Sequence, residues 1–262
     1  MARIDWFGLP LAARRAVEAH TGPVLDVEPV PDGLTCSMAA VLTTGDGRLF
    51  VKGVPLDDEH GVAAQFVEAA VNPAVRTVGP RLIAHVQTDG WDLLVFEHVP
   101  GRHADLSAGS RDLPPVVEVL DMTSGIVAPV WVPFLTDRYA PYLDAGEVAL
   151  LDGMILLHTD TNPHNLIVHD GQAWMVDWAM VAAGPAWVDT AFTAVRLMEA
   201  GCTPAQALGW AAGCRAWRRA DPAAVQALVT GVCREWEHRV GAQAARSSNT
   251  RYRALLGTTV DV

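Results

Sequence analysis

The sequence is nearly without lysine. Its 19 basic residues are eighteen arginines and one lysine, Lys52, set against 30 acidic residues for a net charge of −11. The clustered cations that neutralise nucleic-acid phosphates are missing, which argues against nucleic acid as a partner. Long apolar runs are missing too. Apolar residues make up 50% of the chain, yet no uncharged run approaches the roughly 18 residues of a membrane span, so no membrane role is expected. Cysteine is sparse: Cys36, Cys202, Cys214 and Cys233 show no Cys-x-x-Cys spacing, so neither a zinc site nor a disulfide framework is indicated. The opening Met-Ala-Arg-Ile-Asp-Trp lacks the apolar stretch of a secretory signal. These features together point to a cytoplasmic protein. No His-Glu-x-x-His or Gly-x-Ser-x-Gly pattern occurs, so hydrolase readings have no nucleophile to name. The 262 residues suffice for one large domain or two smaller lobes with ample core.

What is present is concentrated between His158 and Trp178. Leu166-Ile167-Val168 and Ala173-Trp174-Met175-Val176 read as two short strands, and Asp170-Gly171 between them is a strong hairpin signal. A two-residue turn there pairs 168 with 173 and 166 with 175, which sets Asn165 and Asp177 at one end of the hairpin. An amide oxygen and a carboxylate suit Mg²⁺, a hard cation that takes oxygen ligands and retains several waters. Asp160 precedes Asn165 in a loop stiffened by Pro163, where a carboxylate can accept a hydroxyl proton. Asp-x-x-x-x-Asn with a distal Asp is the arrangement of kinase catalytic loops. His158 and His164 flank Asp160, but as loop anchor and filler they fit this reading better than a metal cluster.

On these residues the chain resembles the aminoglycoside phosphotransferase family, whose fold is similar to that of the protein kinases. The family pattern runs His-Gly-Asp-x-x-x-x-Asn, then Ile-Asp-Trp, then Gly-Asp/Pro and a later Asp. Here it reads His158-Thr159-Asp160 through Asn165, then Val176-Asp177-Trp178, Gly184-Pro185 and Asp189. The match over 158–189 is specific, and weaker motifs extend it over most of the chain. One departure is Thr159 in place of glycine, since threonine resists the positive φ that glycine tolerates. Asp189 is expected to hold the catalytic loop through its backbone N–H groups.

The resemblance implies an α+β, bilobal kinase-like fold: a small β-rich N-lobe over 1–96, a hinge at 97–101, and a mainly helical C-lobe over 102–262. It implies ATP or GTP as phosphoryl donor with Mg²⁺, Asp160 as catalytic base, and Asn165 and Asp177 as metal ligands. Lys52 ends the apolar run Leu49-Phe50-Val51 after a Gly45-Asp46-Gly47 turn. The resemblance implies that it contacts the α- and β-phosphates and pairs with a Glu on the next helix. A compact ammonium suits that slot where a guanidinium fork does not. Glu68 is the better partner and Glu59 the fallback. Glu97 to Val99, before Pro100-Gly101, correspond to the hinge, so Glu97 and Val99 are nucleotide contacts through main-chain atoms. The connection Pro31 to Cys36, with Gly33, corresponds to the loop over the phosphates.

Elsewhere the pattern is conventional. Residues 10–20 read as a helix opened by proline, 24–30 and 37–43 as strands, and 91–96 as a buried strand. A helix over 59–71 turns Ala63, Val67, Ala70 and Val71 to an apolar face. Helices are expected over 190–199, 204–217 and 222–240, with Asp221 as an N-cap, and a mixed, loosely held tail from Ser247. His98 and His103 read as surface histidines. The resemblance implies a small-molecule hydroxyl as acceptor, such as that of an aminoglycoside or another antibiotic. Asp137, Asp144, Glu147, Glu199, Glu235 and Glu237 could face a polyamine, which sets a cationic acceptor slightly ahead of a neutral one. The alternatives are a kinase for Ser/Thr of a peptide in natural-product biosynthesis and a nucleotide-binding pseudoenzyme.

Overall fold

The computed structural model describes residues 4–30 and 36–257, so Gly33 lies outside the described residues. The chain divides into two compact units, Met1–Pro100 with Val176–Ala179, and Gly101–Met175 with Met180–Val262.

The first unit is built on one antiparallel sheet. Its elements are α1 (Leu11–Thr21), β1 (Val24–Pro29), β2 (Met38–Thr44), β3 (Gly47–Pro55), α2 (Glu59–Val75), β4 (Leu82–Thr88) and β5 (Trp91–Glu97), with strand order β1-β2-β3-β5-β4. Alternation along the strands gives the sheet two different faces. Met38, Ala40, Leu42, Val51, Leu93 and Val95 point one way and close a core with Trp6, Leu9, Ala13 and Val17 from the N-terminal segment and α1. Lys52, one residue past Val51, belongs to the opposite face, in register with Ala39 and Leu94.

Helix α2 departs from the expected packing. Its buried stripe is Gln65, Glu68, Val71, Asn72 and Val75; of the expected face Val71 is buried, Val67 and Ala70 are half-buried and Ala63 is exposed. Polar side chains can occupy this stripe because each meets a partner. Gln65 Nε2 donates to Asp92 O at 2.9 Å, and Asn72 Nδ2 donates to Pro80 O at 2.8 Å. Asn72 Oδ1 accepts from Leu82 N at 2.9 Å, and Glu68 meets Lys52.

The second unit is mainly helical. It contains β6 (Arg102–His103), α3 (Leu113–Thr123), α4 (Leu135–Tyr139), α5 (Ala145–Ala149), β7 (Ile155–Leu157), β8 (Leu166–His169), β9 (Gln172–Met175), β10 (Ala182–Gly184), α6 (Val188–Glu199), α7 (Pro204–Ala211), α8 (Pro222–Val240) and α9 (Ala242–Ala254). The β8–β9 hairpin has the expected register, Leu166 with Met175 and Val168 with Ala173. Its turn residues Asp170 and Gly171 take φ of 48° and 76°, the paired positive values that a two-residue turn of this hand requires. Helix α7 stops at Ala211, short of Trp217. The carbonyls of Ala212 and Gly213 are taken instead by Arg218 Nη1, at 2.9 Å each. The expected loose tail, Ser247 to Val262, is corrected where it is described: α9 is a regular helix through Ala254, and residues 258–262 lie outside the described residues. Buried Asn249 ties it to α8, donating to Cys233 O at 3.1 Å and Glu237 Oε1 at 2.8 Å.

Candidate active site

In the first unit, the single lysine lies between two carboxylates. Lys52 Nζ is 2.5 Å from Glu68 Oε2 and 2.7 Å from Asp177 Oδ1. Lys52 and Glu68 are buried, whereas the Asp177 side chain keeps 24% of its surface exposed. Burial alone would pull the Lys52 pKa down, but the two carboxylates outweigh it and the net shift is upward. The ammonium is therefore charged across the neutral range. Asp177 holds a positive φ of 64°, a conformation that Asp adopts more readily than most side chains.

Three main-chain N–H groups lie at the end of β5 and just past it. That of Glu97 donates to Arg81 O at 2.9 Å and that of His98 to Arg48 O at 3.3 Å. The N–H of Val99 has no partner among the described residues, so it is the donor of the three that a ligand can use. The Glu97 side chain is spent on Arg81 at 2.7 Å.

In the second unit, β7 delivers the chain into His158, Thr159 and Asp160. Asp189, at the start of α6, accepts from His158 N at 2.8 Å and from Thr159 N at 3.0 Å. Both carboxylate oxygens thus hold the backbone, the role expected for this residue. Burial raises the Asp189 pKa, and His158 with the two N–H donors opposes the shift. These bonds fix Thr159 at φ 63°, a left-handed conformation unusual for a β-branched residue. Its hydroxyl donates to Met180 O at 2.5 Å, which adds a third restraint on the loop.

Asp160 follows at once, and its Oδ2 accepts from Asn165 Nδ2 at 3.0 Å. Asn165 Nδ2 also donates to Asp160 O at 3.0 Å. Because both partners can only accept, Nδ2 must face them, and the amide oxygen of Asn165 is turned away. Taken separately, that oxygen in the second unit and the Asp177 carboxylate in the first are each hard donors of the kind Mg²⁺ takes. Among the described residues no group of three His, Cys, Asp or Glu gathers as a metal site. His164 packs edge-on against His103, with ring centroids 5.0 Å apart.

Sequence reasoning missed Arg196. It lies seven residues beyond Asp189, two helical turns along the same face of α6. That spacing could have placed it beside the loop. Its Nη2 is 3.5 Å from Asp160 Oδ1, and its Nη1 donates to Glu199 Oε2 at 2.8 Å.

Residues 135–225 match the phosphotransferase enzyme family known as APH. A thermostable mutant of aminoglycoside phosphotransferase APH(4)-Ia, in ternary complex with AMP-PNP and hygromycin B, superposes with a TM-score of 0.65 at 13% identity, covering 97% of this chain and 100% of that one. The fold is that of the aminoglycoside phosphotransferases. Choline kinase LicA from Streptococcus pneumoniae shares it, with a TM-score of 0.59 at 12% identity over 92% of this chain and 96% of that one. At such identities the likeness is one of fold. No curated protein is similar to the chain in sequence. Among the described residues no helix is long and apolar enough to cross a membrane.

Proposed function

We propose that the protein transfers the γ-phosphoryl group of ATP or GTP to a hydroxyl group of a small molecule. The observation that carries this reading is the buried pairing of the only lysine, Lys52, with both Glu68 and Asp177. An ordinary structural ion pair needs one partner and tolerates arginine. A point charge fixed by two carboxylates is suited to a phosphate oxygen that a guanidinium fork would miss. Glu68 positions the lysine, and the Val99 N–H is a donor for the nucleotide base. Asp177 and the Asn165 amide oxygen are each suited to Mg²⁺, which when bound neutralises phosphate charge.

Asp160 is the base. The acceptor oxygen attacks the γ-phosphorus, the bond from that phosphorus to the β–γ bridging oxygen breaks, and the nucleoside diphosphate leaves. The hydroxyl proton passes to an Asp160 oxygen. Asn165 holds the other carboxylate oxygen, and Asp189 holds the backbone that carries the base. The solved relatives that bind AMP-PNP with hygromycin B, or that are named for choline, support nucleotide use and a small acceptor. A nucleotide-binding pseudoenzyme would need neither Asp160 nor its three restraints. The test is turnover of [γ-³²P]ATP and GTP by the purified chain with Mg²⁺, against Asp160→Asn and Lys52→Arg. Equal turnover by all three proteins would overturn the reading.

A further inference from the structure

The carboxylates that the sequence offers to a polyamine are already committed. Asp137 Oδ2 accepts from Phe134 N at 3.2 Å, and Asp144 and Glu147 exchange N-cap hydrogen bonds at 2.8 and 3.1 Å. Glu235 is 3.7 Å from Arg239, and Glu237 is 3.3 Å from Arg253 and accepts from Asn249 at 2.8 Å. Glu199 shares Arg196 with the proposed base, at 2.8 Å, and has Arg251 at 3.9 Å. A cationic acceptor would share each of them with an existing partner.

The group that does face Asp160 is a cation. Arg196 Nη2 stands 3.5 Å from Asp160 Oδ1, too far for a good hydrogen bond, and both side chains stay about a third exposed, at 32% and 34%. A guanidinium carries five N–H donors. Among the described residues the Arg196 side chain gives a hydrogen bond to Glu199 alone. Its Nε and Nη2 make none, and the Nε–Nη2 edge of a guanidinium matches the two oxygens of a carboxylate or phosphate.

We propose that Arg196 receives an oxyanion of the acceptor, so that the substrate is an anionic hydroxy compound and not a polycation. This rests on the phosphotransferase reading and on Asp160 as its base. Because Arg196 and Asp160 are nearly in contact, the oxyanion and the reacting hydroxyl sit close together on one small molecule. A 2- or 3-hydroxy acid has that shape, and so does a phosphomonoester of a vicinal diol.

The test uses acceptors of one shape and different charge: glycerate, glycerol 3-phosphate, glycerol and 3-aminopropane-1,2-diol, with hygromycin B as a polycation. Transfer from [γ-³²P]ATP by the full chain should favour at least one of the two anions over glycerol and the amine by tenfold or more in kcat/KM. Which anion leads distinguishes carboxylate from phosphate. Arg196→Gln should remove that preference, acting mainly through the acceptor KM, and Arg196→Lys should restore part of it. Transfer that favours the amines, or that reaches neither anion, overturns the proposal. So does an Arg196→Gln protein that loses activity equally on charged and neutral acceptors, the mark of a merely structural arginine. If Asp160→Asn turns over nucleotide like the wild type, the underlying phosphotransferase reading fails. If Asp160→Asn is inactive while the wild type prefers amines, only the charge assignment fails.

Discussion

Lys52 and Thr159 show how much a single residue carries here. The Lys52 ammonium balances two carboxylates in a site where both it and Glu68 are buried. Replacing it with arginine keeps the charge but broadens the head group and moves its donors. A misplacement of about 1 Å at a reacting group can cost on the order of 10²-fold in rate. Lys52→Arg should therefore lower kcat by about that factor while circular dichroism shows a folded protein, and near-normal turnover would remove the phosphate role. Thr159 poses a question of strain. It holds φ 63° while its N–H and hydroxyl are both bonded. Thr159→Ala loses the hydroxyl bond, worth about 1 kcal/mol, and keeps the strain. Thr159→Gly loses the same bond but relieves a strain of about 1–3 kcal/mol. The glycine variant should accordingly melt above the alanine variant, and the reverse order would show that the loop is not strained at this position.

Among the elements, the ladder of β7 with β10 matters most for the proposed base, because β7 runs straight into His158-Thr159-Asp160. The chain approaches that ladder through Gly153, where an added Cβ would stand 2.2 Å from the carbonyl carbon of Gly184 and 2.4 Å from Pro185 N. Backbone cannot give way as a flexible side chain can. Gly153→Ala should cost at least the 1–3 kcal/mol or so typical of overpacking, read as a lower urea midpoint. Gly209→Ala on exposed α7 is the contrast, with nothing within 4 Å of the new methyl. It should stabilise by about 0.5–1 kcal/mol. A Gly153→Ala protein as stable as the wild type would mean that the ladder can shift freely.

The elements also show what a sequence can disclose. The β8–β9 hairpin was readable because Asp170-Gly171 fixes both turn type and register in adjacent residues. The buried stripe of α2 was not, because Gln65, Glu68 and Asn72 are bonded to Asp92, Lys52 and Pro80, partners that only the tertiary fold supplies. Helix α9 was missed for the same reason, since its anchor is the polar Asn249 and not an apolar stripe.

For the whole molecule, the division into two units separates the proposed functions. Lys52, Glu68, Asp177 and the Val99 N–H belong to the unit Met1–Pro100 with Val176–Ala179, while Asp160, Asp189 and Arg196 belong to the other. Asp160→Asn keeps the size of the side chain and an oxygen that can accept from Asn165, but it removes the basicity. General-base assistance is worth typically about 10²–10⁴-fold, so kcat should fall by that range. Nucleotide Kd, measured by calorimetry on the same preparation, should hardly change. Water serves as the acceptor if no better one is known, because slow nucleotide hydrolysis needs the same proton removed. The converse variant, Glu68→Ala, strips a buried lysine of one counter-ion, and breaking such a pair costs about 3–5 kcal/mol. It should weaken nucleotide binding and stability together. If Asp160→Asn instead lost nucleotide affinity in step with kcat, binding and chemistry would not divide along the two units, and the carboxylate would have to be read as part of the phosphate site.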